Sequence, residues 1–426
     1  MNSYLEMTNE ARAEELKALR VLYDAELKAG HKLDMTRGKP DATQLNLSMD
    51  MLRQDPYDLI YSRIGTDVRN YGELAGVDDA KDFFAQLLGV QMENIIMGGQ
   101  SSLCLMYDMM IKALVLGVYG GEKPWGQQGK LKFLCPAPGY DRHFRITQEF
   151  GIEMIPIPMT PTGPDMALVK QYAESDAAVK GIWCVPKYSN PTGCTYSPET
   201  VEAFAALKPA ADDFRIFWDN AYYIHGYREQ DDYLVNIFDA CKKYGSEDMV
   251  YEFFSTSKVT FSGAGVAVFA ASKHNVDFLL RQMGVQTIGY DKINQLRHVK
   301  YFKTVDGLKA HMRKQADYLR PKFDCALAAL RSSLGDTGIG TWTEPNGGYF
   351  ISYDGLPGTA KRCVQLCADA GVKLTGAGAA FPYGVDPEDR NIRIAPSYPS
   401  TEQLYQSMNV FCICQKIAAL EVLMAK

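Results

Sequence analysis

Between residues 90 and 290 one pattern recurs: a short apolar run, a turn, then a helix-length amphipathic stretch. "NIIMGG" leads into "SSLCLMYDMMIKALVLG", "LKFLCP" into "YDRHFRITQEFG", and "EMIPIPM" into "DMALVKQYAES". "VKGIWCVP" precedes the helical "SPETVEAFAALK", and "FRIFWDNA", "MVYEFFSTS" and "GVAVFAAS" supply further apolar runs. Strand-length runs that stay apolar without alternation are buried on both faces. With helices between them, they predict an α/β fold whose central sheet is mostly parallel and covered on both sides.

The flanks differ. Residues 1–30 carry a polar amphipathic helix pattern, and residues 291–335 read as one long helical connector. Beyond it, "GGYFISYDGLPG", "RCVQLCADAGVKLTGAGAAF", "NIRIAPSYP" and a helix from Thr401 suggest a smaller α+β unit. "YGGEKPWGQQGK" (119–130) reads as a surface loop. At 426 residues the chain exceeds an ordinary single domain.

Charge and cysteine usage narrow the class. A formal net charge of −6, spread along the chain, argues against a nucleic-acid partner. The N-terminus lacks a signal-peptide core, and no apolar run approaches the ~18 residues that a membrane span needs. The ten cysteines are scattered, mostly inside apolar stretches, and no two pairs sit at zinc-ligand spacing. Reduced buried thiols, no metal and a cytoplasmic enzyme are expected.

Five features carry chemistry, and each alone has a plainer reading. "GGQSS" (98–102) joins a strand to a helix start, a cradle of free N–H groups for an anion, although it matches no specific phosphate motif. "YSNPTG" (188–193) is turn chemistry after a strand and could be only a loop. "FWDNAYYIHGY" (217–227) puts Asp219 at the carboxyl end of a strand, where open α/β sheets bind ligands, or where an acid simply caps a helix. "STSK" sets Lys258 among hydroxyls directly after a core strand; by itself it could be a solvated lysine. "NIRIAPSYP" holds Arg393 between isoleucines, facing either solvent or a carboxylate in a cleft.

In this order the five resemble the fold-type-I pyridoxal-phosphate aminotransferases of class I/II, over nearly the whole chain. "TRGKPD" (36–41), "NYGELAG" (70–76), "STSKVTFSGAGV" and "IGYDKINQLRH" (288–298) are most similar to the bacterial type Ic aspartate aminotransferase group. The resemblance implies pyridoxal 5'-phosphate as cofactor. It also implies a large cofactor-binding domain over 46–300, and a small domain built from 1–45 and 301–426.

On that resemblance Lys258 would bond the cofactor aldehyde and later carry the proton between Cα and C4′. Asp219 would pair with the pyridine nitrogen, and Asn190 and Tyr222 with the ring hydroxyl oxygen. Tyr140 would stack on the ring. Gly99, Gln100, Ser101, Ser255 and Ser257 would hold the phosphate. Arg393, with Asn190 and the backbone at Gly38, would bind the substrate α-carboxylate. Tyr71 would reach the partner subunit's phosphate, implying a homodimer with shared sites.

The sequence departs from the family at one place: Val266 stands where an arginine usually meets the phosphate. Lys273 and Arg297 are the candidate substitutes. The expected reaction moves the amino group of L-aspartate, or another dicarboxylic amino acid, to 2-oxoglutarate. A second cation must then meet the side-chain carboxylate, and Arg37, Lys39, Lys292 and Arg297 are the candidates. A lyase or decarboxylase on the same scaffold is the alternative reading. A regulator-type domain is less favoured, because the residues before "TRGKPD" hold no helix-turn-helix pattern.

Overall fold

A computed structural model describes residues 3–425. Its strands in chain order are β1 (Leu33–Asp34), β2 (Ile95–Met97), β3 (Lys132–Ala137), β4 (Glu153–Thr160), β5 (Gly163–Pro164), β6 (Val179–Cys184) and β7 (Arg215–Asp219). They continue with β8 (Val250–Ser255), β9 (Ala267–Ala271), β10 (Gly340–Trp342), β11 (Ile351–Gly355), β12 (Val372–Lys373) and β13 (Asn391–Ile394).

Eight of these form the central sheet in the order β2-β9-β8-β7-β6-β3-β4-β5. Pairings from β8 through β7, β6 and β3 to β4 are parallel. β9 runs antiparallel to both of its neighbours, β2 and β8. Every residue of β6, β7, β8 and β9 is buried, as the unbroken apolar runs demand. The strand order reverses between β3 and β6, which opens a crevice at the carboxyl edge where the loops after both strands diverge.

Two apolar layers cover this sheet. One centres on Phe84, Ile182, Phe204 and Trp218, the other on Met110, Phe133, Trp183 and Phe217. Trp125, in the stretch read as a surface loop, is fully buried in the second layer. Its 3₁₀ turn therefore plugs the core, because an indole of that size costs too much to leave in water.

A further core joins both ends of the chain. Tyr4, Leu19, Tyr23 and Met35 pack with β11, β13 and the helices Ala360–Asp369 and Thr401–Met424. The helix expected over the first thirty residues spans Asn9–Ala29, capped by Thr8 and ended by Gly30 at φ 64°; Met1 and Asn2, with Lys426, lie outside the described residues.

Two expectations need correction. Among the described residues, Thr401–Met424 is long and apolar enough to cross a membrane by length and composition, but 67% of its apolar window is buried. It packs on helices Asn9–Ala29 and Val305–Leu334, so it is a core helix. The connector over 291–335 is two helices, Lys292–Phe302 and Val305–Leu334. The chain breaks at Lys303 (φ 65°), where Thr304 caps the second helix by accepting from the Gly307 N–H.

Candidate active site

β6, β7 and β8 run side by side to the carboxyl edge: Cys184 aligns with Trp218, and Asp219 with Phe253. Their following loops therefore emerge side by side at the crevice. The chain leaves β8 through a 3₁₀ turn, Thr256–Lys258, and returns as β9 with Ala267 opposite Ser255. Lys258 thus stands at the start of a strand-to-strand excursion, at the end of its 3₁₀ turn. Its Nζ lies 4.8 Å from the centre of the Tyr222 ring. Tyr222 is buried, and its phenol is raised first by burial and then by the Asp219 charge, with Arg393 opposing. The amine and the aromatic face are held together as a cation–π contact.

The turn itself is fixed from behind. Thr256 Oγ1 accepts from the Val266 N–H at 2.8 Å and lies 2.9 Å from His298 Nε2. His298 Nδ1 donates to the Asn294 carbonyl at 2.8 Å, so Nε2 is left to accept from the hydroxyl. Burial pushes this imidazole down to about 4, which keeps it neutral and an acceptor. Val266 is buried in this brace, within the apolar layer that holds Phe84 and Ile182.

Asp219 is nearly solvent-free, at 3% exposure. His143 Nε2 donates to its Oδ2 at 3.0 Å. Its other oxygen, Oδ1, is buried without any hydrogen-bond partner among the described residues. An unpaired buried carboxylate oxygen is costly unless a donor arrives to meet it. His143 is itself sandwiched: it stacks on Trp183 at 4.4 Å between ring centres and meets Tyr140 edge-on at 4.9 Å. Thr147 Oγ1 donates to the His143 carbonyl and accepts from Trp183 Nε1.

Tyr140 follows β3, and its phenol is pushed up to about 12, chiefly by burial, with Lys258 the opposing charge. His225 is buried in the same pocket and held down to about 3, first by burial and then by Lys258.

The anion cradle assembles beside the lysine. Ser101 caps the helix Ser102–Val115, its hydroxyl accepting from the Leu103 N–H. Ser255 Oγ donates to Ser257 Oγ at 3.2 Å, and Ser257 Oγ donates to the Gln100 carbonyl at 2.8 Å. Gly99 is bonded through its carbonyl to the Ala267 N–H at 2.7 Å. Gly265 allows this closeness, since a Cβ there would lie 2.7 Å from the Gln100 oxygen and 3.0 Å from Ser257 N and Oγ.

Across the crevice, β13 presents Arg393, whose side chain is 9% exposed. Nη1 donates to Asp141 Oδ1 at 2.9 Å and to Asn190 Oδ1 at 3.3 Å, and Nη2 donates to Thr375 Oγ1 at 3.3 Å. The guanidinium lies over Phe350 at 4.9 Å, while Nε is buried without a partner among the described residues. Gly38 packs on the same phenyl ring; a Cβ there would come within 2.3 Å of it. Asn190, buried, is joined to Pro191 by a cis peptide.

The structure thus brings Lys258, Asp219, Tyr222, Tyr140, Asn190, Arg393, Gly38 and the Gly99–Ser101 cradle with Ser255 and Ser257 to one crevice. Tyr71 stands apart, 82% exposed. Lys273 is excluded as a cation for the cradle. It follows the far end of β9, at the opposite sheet edge, and pairs with Asp277. Lys39 lies over the Tyr398 ring at 4.2 Å, near the end of β13. Arg37 is exposed, Arg297 half-buried and Lys292 buried; none of the three makes a side-chain ion pair among the described residues. Sequence reasoning passed over His143, Asp141, Thr375, Phe350 and His298. The adjacency of Asp141 and His143 to Tyr140 was the only available signal.

A doubly wound sheet, a lysine on the excursion after β8 and an orphaned carboxylate at the end of β7 define the class: the fold-type-I aminotransferases. Within that class, the family model for aspartate amino-transferase matches residues 7–426, and the chain belongs to this family. It is 42% identical over 390 residues to aspartate aminotransferase of Corynebacterium glutamicum, covering 92% of this chain and 90% of that protein. The crystal structure of an aspartate transaminase from C. glutamicum matches with a TM-score of 0.96 at 40% identity, covering 99% of each chain. An α-aminoadipate aminotransferase of Thermus thermophilus, solved with N-(5'-phosphopyridoxyl)-L-leucine, has a TM-score of 0.71 at 18% identity over 95% of each chain, a likeness of fold alone.

Proposed function

We propose that the protein is a pyridoxal-phosphate aminotransferase that moves the amino group of L-aspartate, or another dicarboxylic amino acid, to 2-oxoglutarate. The observation that carries this reading is Asp219 Oδ1, a buried carboxylate oxygen with no donor, in the pocket that also holds the Lys258 amine. A protonated ring nitrogen would supply that donor. The cradle that a Gly265 Cβ would fill suits a phosphate, held by hydroxyls and a helix N-terminus in place of an arginine. When bound, pyridoxal phosphate supplies an aldehyde and an electron-accepting ring.

The chain's own residues do the rest. His143 hydrogen-bonds Asp219 and orients it, Tyr140 would cover one ring face, and Asn190 and Tyr222 would supply polar contacts at its edge. Lys258, next to an aromatic face and braced through Thr256, is the base that removes and returns the Cα proton. Arg393 takes the α-carboxylate, its guanidinium already oriented by Asn190, Thr375 and Phe350.

The chain divides into a large domain over 46–300 and a small domain from both termini, with the crevice between them. The exposed Tyr71 reaches a second subunit, so a homodimer with shared sites is the working form. The ten cysteines are all free and mostly buried, which fits a reducing, cytoplasmic setting.

The test is a substrate panel with the purified protein, read alongside its visible spectrum. Turnover of L-aspartate with 2-oxoglutarate, and a coloured cofactor band lost in Lys258→Ala, are expected. Turnover of aromatic or aliphatic amino acids with none of aspartate refutes the dicarboxylate assignment. A colourless protein that takes up no pyridoxal phosphate refutes the whole reading.

A further inference from the structure

Arg393 does not wait for its ligand unpaired. Asp141 Oδ1 sits 2.9 Å from Nη1, where a carboxylate oxygen of the substrate would sit. The two partners differ in how firmly they are held. Arg393 is 9% exposed and fixed by Asn190, Thr375 and the Phe350 ring, whereas the Asp141 side chain is 35% exposed. Asp141 also opens the helix Asp141–Glu149, so its carboxylate has a second favourable position, at that helix N-terminus and in water.

Their contact is single. Asp141 engages one guanidinium nitrogen, while Nε remains buried and unpartnered. A free carboxylate can take two parallel bonds from a guanidinium, a stronger arrangement than one. A buried cation left without any anion would be costly.

We propose that Asp141 is a displaceable stand-in for the substrate α-carboxylate. It neutralises Arg393 before substrate arrives, and the incoming carboxylate exchanges for it. This inference rests on the reading of Arg393 as the α-carboxylate site. Asp141 is then a positioning residue that sets substrate affinity: it keeps the clamp neutralised and oriented, at the cost of competing with every carboxylate ligand. Ligands without a carboxylate leave the pair closed.

The experiment uses the holoenzyme and succinate, a dicarboxylate that lacks the reacting amine. Calorimetry gives the succinate Kd for wild type, D141N, D141A and D141E, and steady-state kinetics give KM and kcat for L-aspartate. D141A removes the competing anion, and its succinate Kd is expected to fall about fivefold, with KM moving the same way and further than kcat. D141N falls less, because an asparagine oxygen still accepts from Arg393. D141E restores the weaker wild-type affinity. An unchanged or raised Kd in both D141N and D141A overturns the proposal. Wild-type turnover in the same preparation tests the aminotransferase reading separately, so the two failures are told apart.

Discussion

Glu252 is the group whose removal has the most calculable effect. It lies in the middle of β8, 4% exposed, with Asn220 Nδ2 donating to its Oε1 at 2.7 Å. Burial raises its carboxyl from 4.5 to about 7, and the Asn220 hydrogen bond only partly opposes this. In the unfolded chain the same group titrates near 4.5. Between these values the folded protein holds a proton that the unfolded chain has lost, so stability falls as pH rises through that window. At about 1.4 kcal/mol per pH unit, the loss amounts to about 3 kcal/mol by neutral pH.

Glu252→Gln keeps the shape and the acceptor for Asn220 but cannot ionise. The difference in unfolding free energy between variant and wild type, from urea midpoints at half-unit pH steps, should be small below pH 4.5 and grow in favour of the variant by about 3 kcal/mol. It should flatten above about pH 7. Taking the difference cancels groups common to both proteins. A pH-independent difference, or one favouring wild type at pH 8, refutes the reasoning, because it would mean that the ionised carboxylate finds a stabilising partner.

Three further outcomes follow from packing. Gly265→Ala places a methyl 2.7 Å from the Gln100 carbonyl, so pyridoxal-phosphate affinity should drop at least about tenfold by equilibrium dialysis, while the fold survives by circular dichroism. Gly38→Ala drives a methyl into the Phe350 ring beneath Arg393; succinate affinity and aspartate KM should worsen several-fold with a smaller change in kcat. Trp125→Ala empties a fully buried indole site and should cost about 3–5 kcal/mol in denaturant unfolding, with the wild-type cofactor spectrum kept in the folded fraction.

The site was most legible where a strand delivers it. Asp219 and Lys258 stand at the ends of apolar runs, and a buried parallel strand can only present chemistry at its carboxyl end. The antiparallel course of β9 left no mark on "GVAVFAAS", because a strand buried on both faces reads alike in either direction. The break at Lys303 was equally silent, since a lysine with positive φ leaves helical periodicity intact on both sides. His143 and Asp141 were hidden for a different reason. Their partners Asp219 and Arg393 lie 76 and 252 positions away, and only the folded crevice joins them. The brace of His298 on Thr256 spans two helical and loop segments in the same way.

The antiparallel strand has a further consequence for how the site tolerates change. Ala267 faces Ser255 across one ladder, and across the other it bonds through its N–H and carbonyl to Gly99 and Gly98. One residue therefore sets the spacing between the amine-bearing excursion and the anion cradle. Adding or deleting a residue between Ser255 and Ala267 would shift both at once, so this span should behave as a fixed ruler in directed evolution, refusing changes in length even at positions, away from Lys258 and Gly265, where a substitution is accepted.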